Sequence, residues 1–348
     1  MNTRLVKIEN DPQAFLEAGE ILRAGGLVAF PTETVYGLGG NALDSFAAKK
    51  IYAAKGRPSD NPLIVHVAER ESLYELASEV PRTAKMLSER FWPGPLTMIL
   101  PKKASVPDGT TGGLKTVAVR MPDHPAALQL IRTSGVYLAA PSANTSGRPS
   151  PTCAEHVMED LNGKIEMVLD GGTVGIGIES TIVDLTGEIP VILRPGYITK
   201  RMLEEVVGEV AIDPAVLTRH PDPELRPKAP GMKYKHYAPK AELVILEGEP
   251  KRVIDRINQE TKKAQEKGKK VGIIATTQTQ QFYDADVIRV IGSREEEETI
   301  ARGLYASLRE FDKDQVDLIL SESFSDGIWG QAVMNRLLKA AGYQVITV

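Results

Sequence analysis

Apolar residues recur at helical spacing near the start of the chain and then give way to short apolar runs that are typical of buried strands. The helical spacing predicts a helix over roughly residues 12–25, which ends at a glycine pair. The runs LVAF, LIVHV, PLTMILP, TVAVR, GVYLAA, MVLD, STIVDL and VILR predict strands. Further helices are predicted over 45–54, 81–91, 125–133 and 199–207. Strands separated in places only by loops favour a mixed sheet over a regular βαβ repeat.

The pattern changes after residue 212. The next stretch, to about residue 240, contains six prolines and little periodicity, which predicts a linker. From residue 241 strands and helices alternate, as expected for a small α/β domain with a mainly parallel sheet. We therefore predict a larger, catalytic domain over 1–211, a linker over 212–240 and a smaller Rossmann-like α/β domain over 241–348. The highly charged helix at 296–311 is expected to present a solvated face.

Composition narrows the class of protein. The chain has 348 residues, 42% hydrophobic and 25% charged, which is ordinary for a globular protein of two domains. Its net charge of −4 gives no global attraction to nucleic acid, although a local basic patch is compatible with it. Cys153 is the only cysteine, which favours a reducing compartment. The N-terminus lacks a signal-peptide core and no apolar run approaches the ~20 residues of a membrane span, so we expect a cytoplasmic protein without membrane association.

The densest functional chemistry lies between residues 31 and 67. Lys55 and Arg57 flank Gly56, and Arg57 precedes a proline, which favours an extended backbone. If Lys55 is also extended, the two cations project to one face and suit a triphosphate or a carboxylate. The competing interpretation is a solvated basic loop. The preceding segment TETVYGLGGNA offers hydroxyls and, if it is a loop, exposed amides, but it matches neither a Walker loop nor a GxGxxG turn.

Other polar residues follow in the loop PSANTSGRPSPT and at strand ends. Ser142 and Asn144 stand at alternate positions, and the loop's serines and arginine add donors suited to phosphate and ribose oxygens. An unliganded surface loop is the competing interpretation. Arginines end the strands TVAVR and VILR, and Glu179-Ser180-Thr181 follows a glycine-rich run. His66, within an apolar strand, has the properties of a core histidine. Cys153 has no evident base besides the nearby His156, and the histidine spacing indicates no protein-built metal site.

Five segments in this order, PTETVYGLG, KGRPSDNPLIVH, FWPGPLT, VAVRMPDHP and APSANTSGRPSPT, closely resemble the YrdC-like threonylcarbamoyl-AMP synthase family. The segment PGMKYKHYAPK and the following α/β domain are similar to the long, two-domain branch. The resemblance implies a twisted mixed-sheet YrdC-like catalytic domain and a nucleotidyltransferase activity. L-Threonine, bicarbonate or CO2, and ATP with Mg²⁺ would give threonylcarbamoyl-AMP and pyrophosphate. A separate transferase complex would then place the threonylcarbamoyl group on the tRNA adenosine next to the anticodon.

The resemblance also implies roles for individual residues. Lys55 and Arg57 would stabilise phosphate and carbamate charge and act as the catalytic residues. The residues implied around threonine are Thr34, His66, Arg120, Ala140 (through its backbone) and Ser180. Those implied around ATP are Lys55, Arg57, Asn61, Thr116, Ser142, Asn144, Ser150, Arg194 and Tyr237.

The linker acquires a role from the same resemblance. We expect residues 230–240 to fold over the nucleotide, with Gly231 providing the bend. Tyr237, together with His236, would contact ATP.

Two alternative functions are kept. One is a non-catalytic module that binds double-stranded RNA, which the acidic net charge disfavours. The other is formation of a carbamoyl-adenylate from a different substrate, as in related domains of hydrogenase-maturation proteins, although this chain lacks their zinc-finger and acylphosphatase segments. The sequence leaves open whether tRNA is contacted directly.

Overall fold

A computed structural model of the chain describes residues 2–9, 11, 13–218, 227–230, 236–324 and 327–348. The chain divides into two compact units. The first comprises Met1–Ser146, Ser150–Gly175 and Glu179–Lys233. The second comprises Gly147–Pro149, Ile176–Ile178 and Tyr234–Val348. The change from one unit to the other at residues 233 and 234 falls inside the segment predicted as a linker.

The first unit is built on a mixed sheet, which in the described residues has eleven strands. They are β1 Arg4–Lys7, β2 Val28–Phe30, β3 Gly37–Asn41, β4 Ile64–His66, β5 Leu96–Pro101, β6 Thr116–Arg120, β7 Leu138–Ala139, β8 Met167–Asp170, β9 Thr181–Asp184, β10 Val191–Arg194 and β11 Ala211–Ile212. Their spatial order is β1-β8-β2-β3-β7-β4-β6-β5-β9-β10-β11. Strand β6 is parallel to β4 and antiparallel to β5. The predicted mixed sheet is confirmed.

Helices of the first unit lie between these strands. They are α1 Ala14–Arg23, α2 Ser45–Lys55, α3 Leu73–Leu76, α4 Arg82–Phe91, α5 Asp108–Thr111, α6 Pro125–Ser134, α7 Ala154–Leu161, α8 Lys200–Val207 and α9 Pro214–Leu217. Side-chain caps define four of these starts. Two examples are Asp44, which accepts a hydrogen bond from the backbone of Phe46 at 2.8 Å, and Thr199, which accepts one from Met202 at 3.3 Å. These oxygens satisfy amides that the first turn leaves without intrahelical partners.

The glycine-rich segment after residue 36 is a strand and not the exposed loop that the sequence suggested. Strand β3 pairs with β2, and the ring of Phe30 lies across its glycines. A Cβ atom at Gly39 would lie 2.9 Å from Cε1 of Phe30. The glycines therefore allow an aromatic ring to pack on the strand, and the pairing of β3 with β2 and β7 uses backbone groups that were expected to face a ligand.

The second unit contains a parallel sheet in the order β14-β13-β15-β12-β16. Its described strands are β12 Glu242–Glu247, β13 Val271–Ala275, β14 Val287–Val290, β15 Leu318–Glu322 and β16 Val345–Thr347. Its described helices are α10 Pro250–Gln265, α11 Glu297–Asp314 and α12 Gly330–Ala340. The predicted small α/β domain with a parallel sheet is confirmed.

Helix α11 is not simply a solvated helix, as its charge suggested. Its inner face buries Ile300, Leu304 and Phe311, and Arg309 on the same helix is only 1% exposed. The guanidinium of Arg309 donates to the carbonyl of Pro149 at 2.6 Å, a residue of the same unit. A charge can be buried in this way because the carbonyl replaces part of its lost hydration. None of the described helices combines the length and apolar character that crossing a bilayer requires.

Candidate active site

A row of polar side chains crosses three neighbouring strands of the first unit. In the strand register, Arg120 of β6 lies beside His66 of β4 on one side and beside Thr97 of β5 on the other. Paired residues on adjacent strands project to the same face of a sheet, so the three side chains form one row. All three are buried. Arg120 and Arg194 end β6 and β10, as the sequence predicted.

Arg120 binds two residues of the segment before β3. Its Nη2 donates to Oγ1 of Thr34 at 2.9 Å and lies 2.7 Å from Oε2 of Glu33. The Thr34 hydroxyl also hydrogen-bonds Thr32 at 2.8 Å. The structure thus brings together Thr34 and Arg120, both predicted for threonine. Glu33 was not predicted, because nothing in the spacing of TET distinguishes its carboxylate from a surface one.

His66 is neutral in the folded protein. Burial, helped by the positive charge of Arg120, lowers the pKa of its imidazole to about 3. Its Nδ1 lies 3.2 Å from the carbonyl of Ile64, and its ring meets Phe30 edge to face. His66 therefore has the packing of a core histidine, as its strand position indicated, and it also lies next to Arg120.

Ser180 extends the row on the other side. Its hydroxyl hydrogen-bonds Thr97 at 2.8 Å, and Nη2 of Arg194 donates to the same hydroxyl at 3.1 Å. Arg194 also donates through Nε to the Ser180 carbonyl at 3.0 Å. Thr97 was missed by the sequence reasoning, although a hydroxyl within the otherwise apolar run PLTMILP is a signal that could have identified it.

Lys55 is the last residue of α2, so the condition of an extended backbone, under which Lys55 and Arg57 would project to one face, does not hold. Gly56 has φ +60 and forms the helix C-cap. A left-handed cap residue favours glycine, which explains Gly56 without any ligand. The helix end nevertheless directs Nζ of Lys55 to the carbonyls of Ser142 and Asn144, at 2.5 and 2.6 Å.

Arg57 turns toward the segment that follows it. Its Nη2 contacts the carbonyls of Asn61 and Pro62 at 3.4 and 3.3 Å. The side chain of Asn61 is 1% exposed, and neither its Oδ1 nor its Nδ2 has a hydrogen-bond partner among the described residues. A buried amide without partners is costly, and both its donor and its acceptor are available for a hydrogen bond with a ligand.

Hydroxyl groups of the loop after β7 form hydrogen bonds both within the loop and with Glu179. The hydroxyl of Ser142 donates to Oδ1 of Asn144 at 2.5 Å, and that of Ser150 donates to Oε1 of Glu179 at 2.5 Å. Ala140, between β7 and this loop, donates its backbone N–H to Ile64 at 2.8 Å. A backbone contact of Ala140 with a ligand would therefore be made through its carbonyl oxygen.

Two further residues were predicted to contact ATP. Thr116 begins β6, about 13 Å along the strand from Arg120. Tyr237 belongs to the second unit, where it is buried with φ 65 and its ring lies 5.1 Å from that of Tyr305. Its role and that of His236 stay predictions, and Gly231 lies outside the described residues.

A cysteine nucleophile finds little support in the site. Burial raises the pKa of the Cys153 thiol to about 11, so the thiol is protonated at neutral pH and is a poor nucleophile. Within the described ranges, no three histidine, cysteine or acidic side chains come together as metal ligands do.

The mixed sheet, with buried lysine and arginine side chains near Asn61 and Ser180, defines an α/β protein with a polar site suited to a small anionic ligand. A family model described as "Telomere recombination" (Sua5, YciO and YrdC) matches residues 20–196, and one described as "Threonylcarbamoyl-AMP synthase, C-terminal domain" matches residues 198–342. The chain belongs to the Sua5/YrdC family of threonylcarbamoyl-AMP synthases. It is accordingly a nucleotidyltransferase that forms threonylcarbamoyl-AMP.

Relatives resemble the chain over nearly its whole length. It is 52% identical to the threonylcarbamoyl-AMP synthase of Bacillus subtilis, covering 97% of this chain and 95% of the relative. Identity to the Pyrococcus abyssi enzyme is 54%, covering 95% of each. The solved structure of P. abyssi Sua5 complexed with L-threonine superposes with a TM-score of 0.92 at 50% identity, covering 100% of this chain and 99% of the other. A variant of the same protein with a histidine and a tyrosine replaced by alanine gives 0.94, covering 100% and 98%.

Proposed function

We propose that the first unit binds L-threonine and ATP side by side and joins them through bicarbonate or CO2. Threonine's amine forms a carbamate, which attacks the α-phosphorus of ATP, and pyrophosphate leaves. The product is threonylcarbamoyl-AMP. Such a reaction needs positioning, neutralisation of charge and exclusion of water more than a protein nucleophile.

The observation that carries this proposal is the position of residues 140–144. Ala140 hydrogen-bonds β4, the strand that holds His66. Two residues further on, the carbonyl of Ser142 accepts from Lys55. One short segment therefore touches both the strand that carries His66 and the side chain of Lys55. The carbamate would form on the His66 side of this segment, and the phosphates would lie on the Lys55 side.

On the threonine side we assign the carboxylate to Arg120. A guanidinium recognises a carboxylate through paired N–H donors, and Arg120 is held in place by its bond to Thr34. Ser180 and Thr34 would recognise the substrate hydroxyl. His66, neutral and buried, would supply packing and one ring nitrogen rather than charge.

On the nucleotide side we assign the phosphates to Lys55 and Arg57, and further polar contacts to Asn61 and Ser142. The remaining implied residues are Thr116, Asn144, Ser150 and Arg194. Mg²⁺ would be bound together with ATP, whose phosphates supply the oxygen ligands that this ion prefers. When bound, it supplies neutralisation of phosphate charge. Protein hydroxyls and amides would position the phosphates.

The experiment is mass detection of threonylcarbamoyl-AMP from the purified chain with L-threonine, bicarbonate and ATP. Product should require all three. Lys55→Ala and Arg57→Ala should each lower the rate strongly, on the order of 100-fold or more for loss of a charge that stabilises the transition state.

Lys49→Ala is the matched control, since Lys49 is an exposed lysine on the same helix. It should turn over like the wild type. Wild-type rates from both Lys55→Ala and Arg57→Ala would remove these two residues from the mechanism. Salt-sensitive binding of double-stranded RNA without product would instead favour the non-catalytic alternative.

A partner follows from the product. A mixed anhydride of a carbamate and AMP is reactive, so an acceptor must take the threonylcarbamoyl group soon after it forms. We propose that the acceptor is the tRNA adenosine next to the anticodon and that a separate transferase complex catalyses the transfer. Adding such a complex and tRNA should convert the product into threonylcarbamoyl-adenosine next to the anticodon.

A further inference from the structure

Glu33 holds an unusual position for a carboxylate that the proposed reaction does not yet use. Its side chain is 12% exposed and lies against Arg120, whose side chain is 5% exposed. Oε2 approaches Nη2 of the guanidinium at 2.7 Å. The contact is an ion pair whose geometry does not meet that of a hydrogen bond, and Nη2 also donates to Thr34.

Both carboxylate oxygens of Glu33 are buried, and neither accepts a hydrogen bond from any residue that the structure describes. Nε of Arg120 likewise has no acceptor there. Buried carboxylate oxygens without donors are costly, because they have lost water and gained only the neighbouring charge. In this ion pair, the two carboxylate oxygens of Glu33 can therefore still accept hydrogen bonds, and Nε of Arg120 can still donate one.

A free α-amino acid carries the complementary set. Its carboxylate and its ammonium sit on the same carbon, and the ammonium has three N–H donors. With the substrate carboxylate on Arg120, its ammonium would be within reach of the adjacent Glu33. We propose that Glu33 recognises the threonine ammonium and accepts its proton as the carbamate forms.

The proton has a defined path. The ammonium gives one proton to the Glu33 carboxylate, and the resulting amine attacks the carbon of bicarbonate. The N–C bond forms, the carbon–hydroxyl bond breaks, and a second nitrogen proton leaves with the hydroxide as water. Ammonium, bicarbonate and carboxylate become carbamate, water and carboxylic acid, and the charge is conserved. A base at the nitrogen is needed because an ammonium has no lone pair.

The effect of pH on Glu33 can be distinguished from the titration of the histidines near it. Among the described residues, Arg120 lies against Glu33, and His124 is near enough for the Glu33 charge to act on it, as does that of Asp123. His66 lies beyond Arg120 in the strand register. Burial lowers the pKa of both histidines, so they stay neutral above about pH 7 and do not titrate there. A pH effect on turnover in that range is therefore not theirs.

The proposal rests on the proposed function and is tested by calorimetry with two ligands, L-threonine and (R)-3-hydroxybutyrate. The second keeps the carboxylate and the hydroxyl but has no ammonium. Glu33→Gln should weaken threonine binding by about 10- to 100-fold, the usual effect of a charged hydrogen bond. Binding of 3-hydroxybutyrate should be unchanged or tighter, because Arg120 loses a competing carboxylate.

Turnover gives a second readout. Turnover by Glu33→Gln should be slowest relative to wild type near neutral pH and should recover as pH rises from about 7 to 9, where solvent removes the ammonium proton.

Glu33→Asp, which keeps the charge, should restore much of the threonine binding. If the glutamine variant does not fold, Glu33→Asp carries the comparison, with a smaller loss again confined to threonine. Glu17→Gln, which breaks an exposed ion pair with Arg4, is the control and should behave like wild type.

Each outcome of these experiments supports or overturns the role proposed for Glu33. Equal weakening for both ligands would mean that Glu33 only supports Arg120, and tighter binding of both would mean that it is merely an internal counter-ion. Either overturns the proposal, as does a constant ratio of wild-type to variant rates across the pH range. Failure of the proposed function looks different: the wild type would then bind no threonine and make no product.

Discussion

His66 should make the first unit sensitive to acid in a way that can be calculated. The pKa of its imidazole is about 3 in the folded protein and about 6.5 when unfolded. The folded pKa is lowered, so below pH 6.5 the unfolded chain binds a proton that the folded chain does not. Stability contributed by neutral His66 is therefore complete above about pH 6.5 and is lost as the pH falls toward 3, by about 1.4 kcal/mol per pH unit.

Between pH 7.5 and 5.0 the loss amounts to about 2 kcal/mol. Urea unfolding followed by Trp92 fluorescence in a Trp329→Phe background reports on the first unit, since Trp92 is buried there and the chain has two tryptophans. His66→Asn keeps an amide near the Ile64 carbonyl but cannot titrate. Its free energy of unfolding should fall by about 2 kcal/mol less than that of the wild type over this interval. Equal falls in the two proteins would refute the buried neutral imidazole, because every other titrating group is shared.

Three smaller changes test other contacts. Gly39→Ala should lower the free energy of unfolding by about 1–3 kcal/mol, because its Cβ would press on the Phe30 ring, whereas Gly56→Ala should cost only about 1 kcal/mol, because its Cβ meets open space and only the φ of +60 is strained. Both are measured by the same urea experiment, and a reversed order would contradict the packing assigned to β3. Thr97→Val should cost about 1 kcal/mol by removing its bond to Ser180 and should raise KM for L-threonine with little change in KM for ATP, as measured by pyrophosphate release. An equal effect on both KM values would argue against a threonine-side position for this pair.

Much of this fold was predictable because local chemistry and tertiary packing agree. The cap at Asp44 and the buried run at β13 each specify their element without help from distant residues. Strand β3 could not be predicted in the same way. Its glycines have low strand propensity, and the strand exists because Phe30 packs across it and because its neighbours supply ladder partners.

The sequence predicted which types of residue form the site, but it did not predict which of these residues contact one another. Arginines at strand ends and hydroxyls in loops are visible in the sequence, yet Arg120 meets Thr34 across 86 residues and Thr97 meets Ser180 across 83. Such pairs follow from strand order, which local spacing does not encode. Glu33 shows the limit most clearly, because the guanidinium that it contacts belongs to Arg120 on a distant strand, and no local pattern links the two residues.

Lys55 gives the last prediction, because it holds the loop after β7 at two points. Its Nζ donates to Ser142 and Asn144, and its own carbonyl accepts from the amide of Ser146 at 2.8 Å. Lys55→Ala removes both Nζ bonds, so beyond its catalytic loss it should destabilise the first unit by about 2 kcal/mol or more. Lost activity in that variant therefore combines missing charge with a displaced loop. Methylammonium added to Lys55→Ala separates the two: recovery of turnover with an unchanged urea midpoint would assign the rate to the charge. No recovery at concentrations where the amine binds would assign it to the tethered loop.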